Sequence, residues 1–135
     1  MTLHRPSRRA RAAGWLLLLG AAAASAATPN ELLAGYLAQA GSAADAARGQ
    51  ALFQQRGERD WSCSSCHGPL PLRPGRHAGT GKPIEPLAPA AQATRLTDAA
   101  KTEKWFRRNC KDVFNRECTP QEKADVVAWL SSLKP

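Results

Sequence analysis

Residues 63–67 read Cys63-Ser64-Ser65-Cys66-His67. Two cysteines three positions apart, with a histidine directly after them, form the attachment signature for c-type haem. The chemistry sets the spacing. Two thiols have to reach two vinyl groups on one face of a porphyrin, and the next residue turns its imidazole onto the iron. Cys63 and Cys66 are the candidate anchors and His67 the candidate proximal ligand.

Upstream, residues 1–14 carry Arg5, Arg8, Arg9 and Arg11 and no acid, and "GWLLLLGAAAA" follows, ending in Ala24-Ser25-Ala26. A basic start, a short apolar run and a small-residue cleavage site describe a signal peptide. The run is too short to span a bilayer comfortably. Residues 1–26 are therefore expected to be cleaved, leaving 27–135 as one exported haem domain in the periplasm. Export bears on the other chemistries of paired cysteines. Zinc wants two more ligands at finger-like spacing. Cys110 and Cys118 could supply thiolates, but an oxidising compartment favours joining them instead. A redox dithiol wants a thioredoxin-like alternation of strands and helices, and none is visible.

Removing the leader changes the charge. The formal +8 includes the four leader arginines, so residues 27–135 carry 15 basic and 11 acidic side chains, a net +4. Two haem propionates would bring this near +2. No basic stripe with interleaved aromatics appears, so nucleic-acid binding is not expected. A chain of this size buries only part of its surface. A haem would supply much of the missing apolar core.

The exported part reads as all-α, about four helices joined by loops. Thr28-Pro29-Asn30-Glu31 is a capping box with proline at the first helical position. Leu32, Leu33, Tyr36, Leu37 and Ala40 follow on one face, and Gly41 is the expected stop. A second helix starts within 42–45, turns Ala47, Ala51 and Leu52 or Phe53 inward, and ends at Gly57. Gly49 lies inside it, where glycine costs about 1 kcal/mol against alanine; a close helix crossing would justify it. Residues 68–93 hold six prolines and four glycines and read as one long loop. Such loops are usually functional or wrapped around something, here a haem edge. Thr97-Asp98 caps a third helix running to about Arg108, and Thr119-Pro120-Gln121-Glu122 opens a last one. Its stripe of Val126, Trp129, Leu130 and Leu133 reads as ordinary core, with Trp129 near Gly49 and Phe53.

The far face of the iron is harder to assign. The common sixth ligand is methionine, and the one methionine is Met1. The remaining candidates are His77, six lysines, Asn109 or water. His77 and the lysines read better as surface groups. If Cys110 and Cys118 join, they close a nine-residue loop worth roughly 2.6 kcal/mol and pin the segment beside Asn109. From spacing alone Asn109 reads better as the C-terminal cap of the third helix. The second nitrogen of His67 needs a partner to fix the ring, and a backbone carbonyl near Pro86 is the candidate. Arg107 and Arg108 are candidates for pairing with propionates, although a solvated helix end accounts for them equally.

Several longer segments carry a resemblance: "ADAARGQALF" (44–53), "CSSCHG" (63–68), "TGKPIEPLAPAA" (80–91), "RLTDAAKTEKWFRRNC" (95–110) and "RECTPQEKADVVAWL" (116–130). Together they resemble the SHP-type cytochromes c, a monohaem, asparagine-ligated, oxygen-binding, DUF1924-like group. The haem motif is generic to cytochromes c; the segments 81–89 and 103–125 are far more specific. The resemblance implies a class I cytochrome c fold around one covalent haem c. It implies that His67 and Asn109 ligate the ferric iron and that Cys110 and Cys118 form a disulfide. It further implies that Asn109 leaves on reduction, opening ferrous haem to O2, NO or CO. Coordination chemistry is consistent with this: an amide oxygen is a hard, neutral donor that suits Fe(III) better than Fe(II). The partners implied are a dihaem cytochrome c and a membrane cytochrome b. The competing reading is a plain electron carrier with a closed six-coordinate haem. A sensor ranks last, because no output domain is encoded. Whether the chain turns over a substrate is left open, because any reactive part would be the cofactor itself.

Overall fold

The computed structural model describes Met1 and residues 26–135. The proposed leader falls almost wholly outside them. Among the described residues no helix is long and apolar enough to cross a membrane.

Five helices and two very short strands follow in the order α1 (Pro29–Leu37), α2 (Ala46–Gln54), α3 (Cys63–His67), β1 (Gly75–Arg76), β2 (Pro83–Ile84), α4 (Ala99–Phe114) and α5 (Pro120–Ser132). The all-α expectation holds, and the helix beyond the four expected is α3, the haem motif itself. The strands pair antiparallel as Gly75 with Ile84 and Arg76 with Pro83, inside the proline-rich loop. Their two residues each are too few to show a period-2 pattern in sequence.

Both expected capping boxes form. At α1 the Thr28 amide donates to Glu31 Oε2 at 2.7 Å and the Glu31 amide donates to Thr28 Oγ1 at 3.2 Å. At α5 the Thr119 amide donates to Glu122 Oε2 at 2.8 Å. α1 ends at Leu37, earlier than the Gly41 stop suggests, and α2 begins one residue after its Asp45 cap. Within α2 the buried residues are Gly49 and Phe53, whereas Ala47 and Ala51 face solvent. A methyl offers little area, so the phenyl ring decides which face turns inward.

The core is built on α5. α2 and α1 both pack along it, α2 more extensively. Phe53 stacks tilted on Trp129 with ring centroids 4.8 Å apart, surrounded by Leu32, Val126, Val127 and Leu130. Gly49 sits at this crossing. A Cβ there would overlap the Asp125 carbonyl oxygen, so the costly helical glycine is explained by backbone contact.

α4 is positioned differently. It has no comparable length of close backbone packing on any other element. Side chains hold it instead. Phe106 meets Tyr36 edge-on at 5.8 Å, Tyr36 Oη donates to Glu103 Oε2 at 3.1 Å, and Lys123 Nζ lies 2.6 Å from Glu103 Oε1. Cys110 is disulfide-bonded to Cys118, just ahead of the α5 cap. α4 also runs on to Phe114, beyond the Arg108 end expected from sequence. Its C-cap is Asn115, in the left-handed conformation at φ 54°. Asn109 is therefore an interior helical residue and not a cap. Two apolar groups on the inward face, Cys110 and Val113, carry the helix through the apparent stop.

The loop before α4 is not loose. Pro71 and Ala88 are buried, and the Pro71 carbonyl accepts from the amides of Leu87 and Ala88, both at 3.0 Å. Arg95 ties down the same stretch, donating to the carbonyls of Pro86 at 2.7 Å and Glu85 at 3.1 Å. Leu96 next turns into α4 with φ 60° and its side chain in the core. The left-handed backbone costs about 1–2 kcal/mol, which burial of a leucine at about 1.5–3 kcal/mol offsets.

Candidate haem site

The Cys63–His67 segment is a single helical turn with its own capping box. Ser62, buried at its N-cap, accepts from the Ser65 amide at 3.2 Å, while the Ser62 amide donates to Ser65 Oγ at 2.9 Å. Ser65 inside the motif and Ser62 just before it are thus structural. Sequence reading passed over them because a capping box is usually signalled by Glu or Gln at the third position. Gly68 ends the turn at φ 75°, a conformation that suits glycine. Behind it, a Cβ on Gly75 would overlap the Cys66 carbonyl oxygen, so β1 presses against the motif backbone. Nothing in sequence separated Gly75 from its neighbouring loop glycines.

Cys63 and Cys66 are free thiols, both half-buried. Burial pushes the Cys63 thiol up to about 11, with Cys66 adding in the same direction. A redox dithiol wants a stabilised thiolate and a thioredoxin-like alternation of strands and helices, and the described residues hold only two strands of two residues each. The zinc alternative also falls, because Cys110 and Cys118 are joined and no group of three or more His, Cys, Asp or Glu gathers among the described residues.

His67 stands at the end of the turn with its ring tilted on Phe53, centroids 6.1 Å apart. Burial, helped by the positive charge of Arg95, pulls its pKa down to about 4. The imidazole is neutral at pH 7, which is the form that binds a metal. Among the described residues no hydrogen bond reaches either ring nitrogen of His67, so the carbonyl partner expected near Pro86 is not seen; the carbonyls of Glu85 and Pro86 accept from Arg95.

The other sixth-ligand candidates separate clearly. His77 Nδ1 accepts from the amides of Gly79 and Thr80, both at 3.2 Å, and its ring lies edge-on to Trp61 at 6.4 Å. The adjacent Ala78 amide lies 3.2 Å from Cys66 Sγ. His77 is thus built into a tight turn on the thiol side of the motif. Of the lysines, Lys123 is buried in its ion pair with Glu103, and Lys82, Lys101, Lys104, Lys111 and Lys134 are exposed. Asn109 is half-buried, on the inward side of α4 with Phe106, Cys110 and Val113, and its amide makes no hydrogen bond. Arg107 and Arg108 are exposed in mid-helix, Arg108 lying 5.0 Å over the Trp105 ring.

This donor set fits a covalent c-type haem: two free thiols and a neutral, unpartnered imidazole on one preformed turn. Similarity to known proteins agrees. Residues 39–130 match the family described as a domain of unknown function, DUF1924. The chain is 51% identical over 120 residues to the cytochrome c-type protein SHP of Cereibacter sphaeroides, covering 86% of this chain and 92% of that one. It is 38% identical over 78 residues to cytochrome c'' of Methylophilus methylotrophus, covering 58% of this chain and 54% of the relative. Among solved structures it resembles oxidised SHP, described as an oxygen-binding cytochrome c, with TM-score 0.75 and 50% identity over 79% of this chain and 98% of the other. It also resembles oxidised cytochrome c'' of M. methylotrophus, with TM-score 0.72 and 30% identity over 79% of this chain and 95% of that structure. A solution structure of that cytochrome c'', described in terms of haem-ligand detachment, matches with TM-score 0.68 and 30% identity over 79% and 94% of the two chains. The chain therefore belongs to the DUF1924 family and is, within it, a monohaem c-type cytochrome of the SHP type.

Proposed function

We propose that the chain is an exported cytochrome in which a removable asparagine governs access to the iron. In this reading Cys63 and Cys66 carry the thioether bonds and His67 is the proximal ligand. Asn109 fills the sixth position in the oxidised protein and leaves it on reduction. The haem supplies a one-electron couple and, when ferrous, a site for O2, NO or CO. The electron comes from another redox protein, a dihaem cytochrome c or a membrane cytochrome b, in the periplasm.

One observation carries the reading: Asn109 holds a half-buried amide with no hydrogen-bonding partner, next to the Cys110–Cys118 bridge. The amide is open to the space beside the helix, since no unpartnered side-chain oxygen or nitrogen is fully buried among the described residues. Here the carbonyl oxygen is free to act as a ligand. The bridge holds the neighbouring residue and limits how far the amide can travel. Once displaced, the NH2 remains a donor toward a small diatomic ligand nearby. The oxygen-binding description of SHP and the detachment described for cytochrome c'' support the same reading.

Absorption spectra of the oxidised and reduced protein, with and without CO, test it. A ferric low-spin or mixed form that becomes high-spin on reduction and shifts with CO is expected. Asn109→Ala should turn the ferric form high-spin and alter CO affinity. An unchanged ferric spectrum in Asn109→Ala removes Asn109 as a ligand. A ferrous form that stays low-spin and ignores CO makes the chain a plain electron carrier.

A further inference from the structure

We propose that the outer face of α4 is the docking surface for an acidic electron-donor protein. Lys104, Arg107, Arg108 and Lys111 fall at i, i+3, i+4 and i+7, and all four are exposed. They form one stripe on the side of the helix away from Phe106. α4 carries five basic and two acidic side chains, so it supplies +3 of the +4 on residues 27–135. One of the two acids, Glu103, is already held by Lys123 and Tyr36 on the inward side. No ion pair reaches Lys104, Arg107 or Lys111. Like charges three and four apart on a helix repel and destabilise it. Asp112, four residues after Arg108, is the one acid of α4 not already held on the inward side, so the repulsion is only partly offset within the helix and the surface has charge left to meet a negative partner.

The shape of the surface favours a protein as that partner. A recess of about 440 Å³ beside the stripe is lined by Arg107, Arg108, Lys111, Asp112, Arg116 and Glu117. A concave, mixed-sign lining suits a protruding carboxylate in one register, whereas a uniformly anionic sheet would meet Asp112 and Glu117 as repulsion. A helix that lies on a bilayer needs an apolar face free beside the basic one; α4 offers only Trp105, exposed beside Arg108, while Phe106, Cys110 and Val113 are turned into the fold. The role as electron entry point rests on the Asn109 reading, since Asn109 directly follows Arg108. A donor docked here meets the helix whose amide has to leave the iron.

The test uses the haem-loaded protein and two reductants: photoreduced flavodoxin, a small acidic protein, and hexaammineruthenium(II), a small cation. Arg107→Glu/Lys111→Glu should slow reduction by flavodoxin at least tenfold at low ionic strength and leave reduction by the ruthenium complex no slower. Arg73→Glu/Lys82→Glu, an equal charge change at exposed positions outside α4, should stay within twofold of wild type. Equal slowing by both double variants means that only net charge matters and overturns the proposal. So does a flavodoxin rate that Arg107→Glu/Lys111→Glu leaves within twofold; if that variant also loses binding to vesicles of phosphatidylcholine and phosphatidylglycerol, the surface belongs to a membrane. CO binding separates this from the ligand reading. A ferrous haem that ignores CO while the flavodoxin rate still depends on the stripe sinks the Asn109 reading and leaves the docking surface standing.

Discussion

An alanine at position 49 would drive its Cβ into the carbonyl of Asp125, where α2 crosses α5. Neither backbone can yield without opening the Phe53–Trp129 contact. Gly49→Ala should therefore cost about 1–3 kcal/mol in urea unfolding, although alanine is the better helix former by about 1 kcal/mol. A stabilised variant would mean that the crossing is looser than described. This glycine was legible in the sequence because it breaks a helical pattern at a known cost. Gly75 was not, because every glycine in a proline-rich loop looks alike. Its contact with the Cys66 carbonyl comes from a strand pair of two residues per side, which leaves no pattern. The haem motif was legible from its spacing alone, whereas its internal serine cap was not. Asn109 had no signal of its own. Its proposed role comes from resemblance, and its local reading as a helix cap was wrong because the inward-facing Cys110 and Val113 extend α4 past it.

At the scale of elements, the attachment of α4 is the controlling feature. Lys123 is only 9% exposed at its side chain, while its partner Glu103 is 44% exposed. The pair is asymmetric, and so are its two deletions. Glu103→Ala leaves a buried ammonium without its counter-charge, which costs about 1–3 kcal/mol after allowing for solvent at the carboxylate. Lys123→Met leaves only a half-solvated carboxylate and keeps the packing against Tyr36, so it should cost less. Urea unfolding of the two variants decides this, and a larger loss for Lys123→Met would refute the account. The Cys110–Cys118 bridge is the second attachment. Cys110→Ser/Cys118→Ser should lose roughly 2–3 kcal/mol by the loop-closure argument. The capping boxes of α1 and α5 were readable because proline at the first position and Glu at the third are local signals. The end of α4 was not, because the stop is a left-handed Asn115 six residues beyond an equally plausible asparagine.

The whole molecule responds to acid through Asp125, which joins α2 to α5. Burial opposes its ionisation, but hydrogen bonds from Arg48, the Asp45 amide and Gln121 outweigh burial and hold the carboxyl below the usual carboxylate range. A depressed folded pKa gives stability that is full above the unfolded value of about 3.9 and is lost as pH falls through the lower folded value. Glu122, held down first by Arg116, acts in the same direction. Unfolding free energy should therefore fall as pH drops below about 4, and Asp125→Asn should flatten that fall. A slope that Asp125→Asn leaves unchanged would move the acid sensitivity elsewhere.

The same architecture predicts an order of loss when the haem cannot attach. α1, α2 and α5 close around Phe53, Trp129 and Leu130 using their own side chains. α4 depends on Glu103, Phe106, Cys110 and whatever the half-buried Asn109 meets. In Cys63→Ala/Cys66→Ala, backbone amides of residues 99–114 should lose hydrogen-exchange protection before those of 120–132. Simultaneous loss in both helices would show that the chain folds as one unit only around its haem. Persistent protection of α4 would show that its three side-chain attachments suffice, and would then place the freedom of Asn109 in its own side chain and not in the helix that carries it.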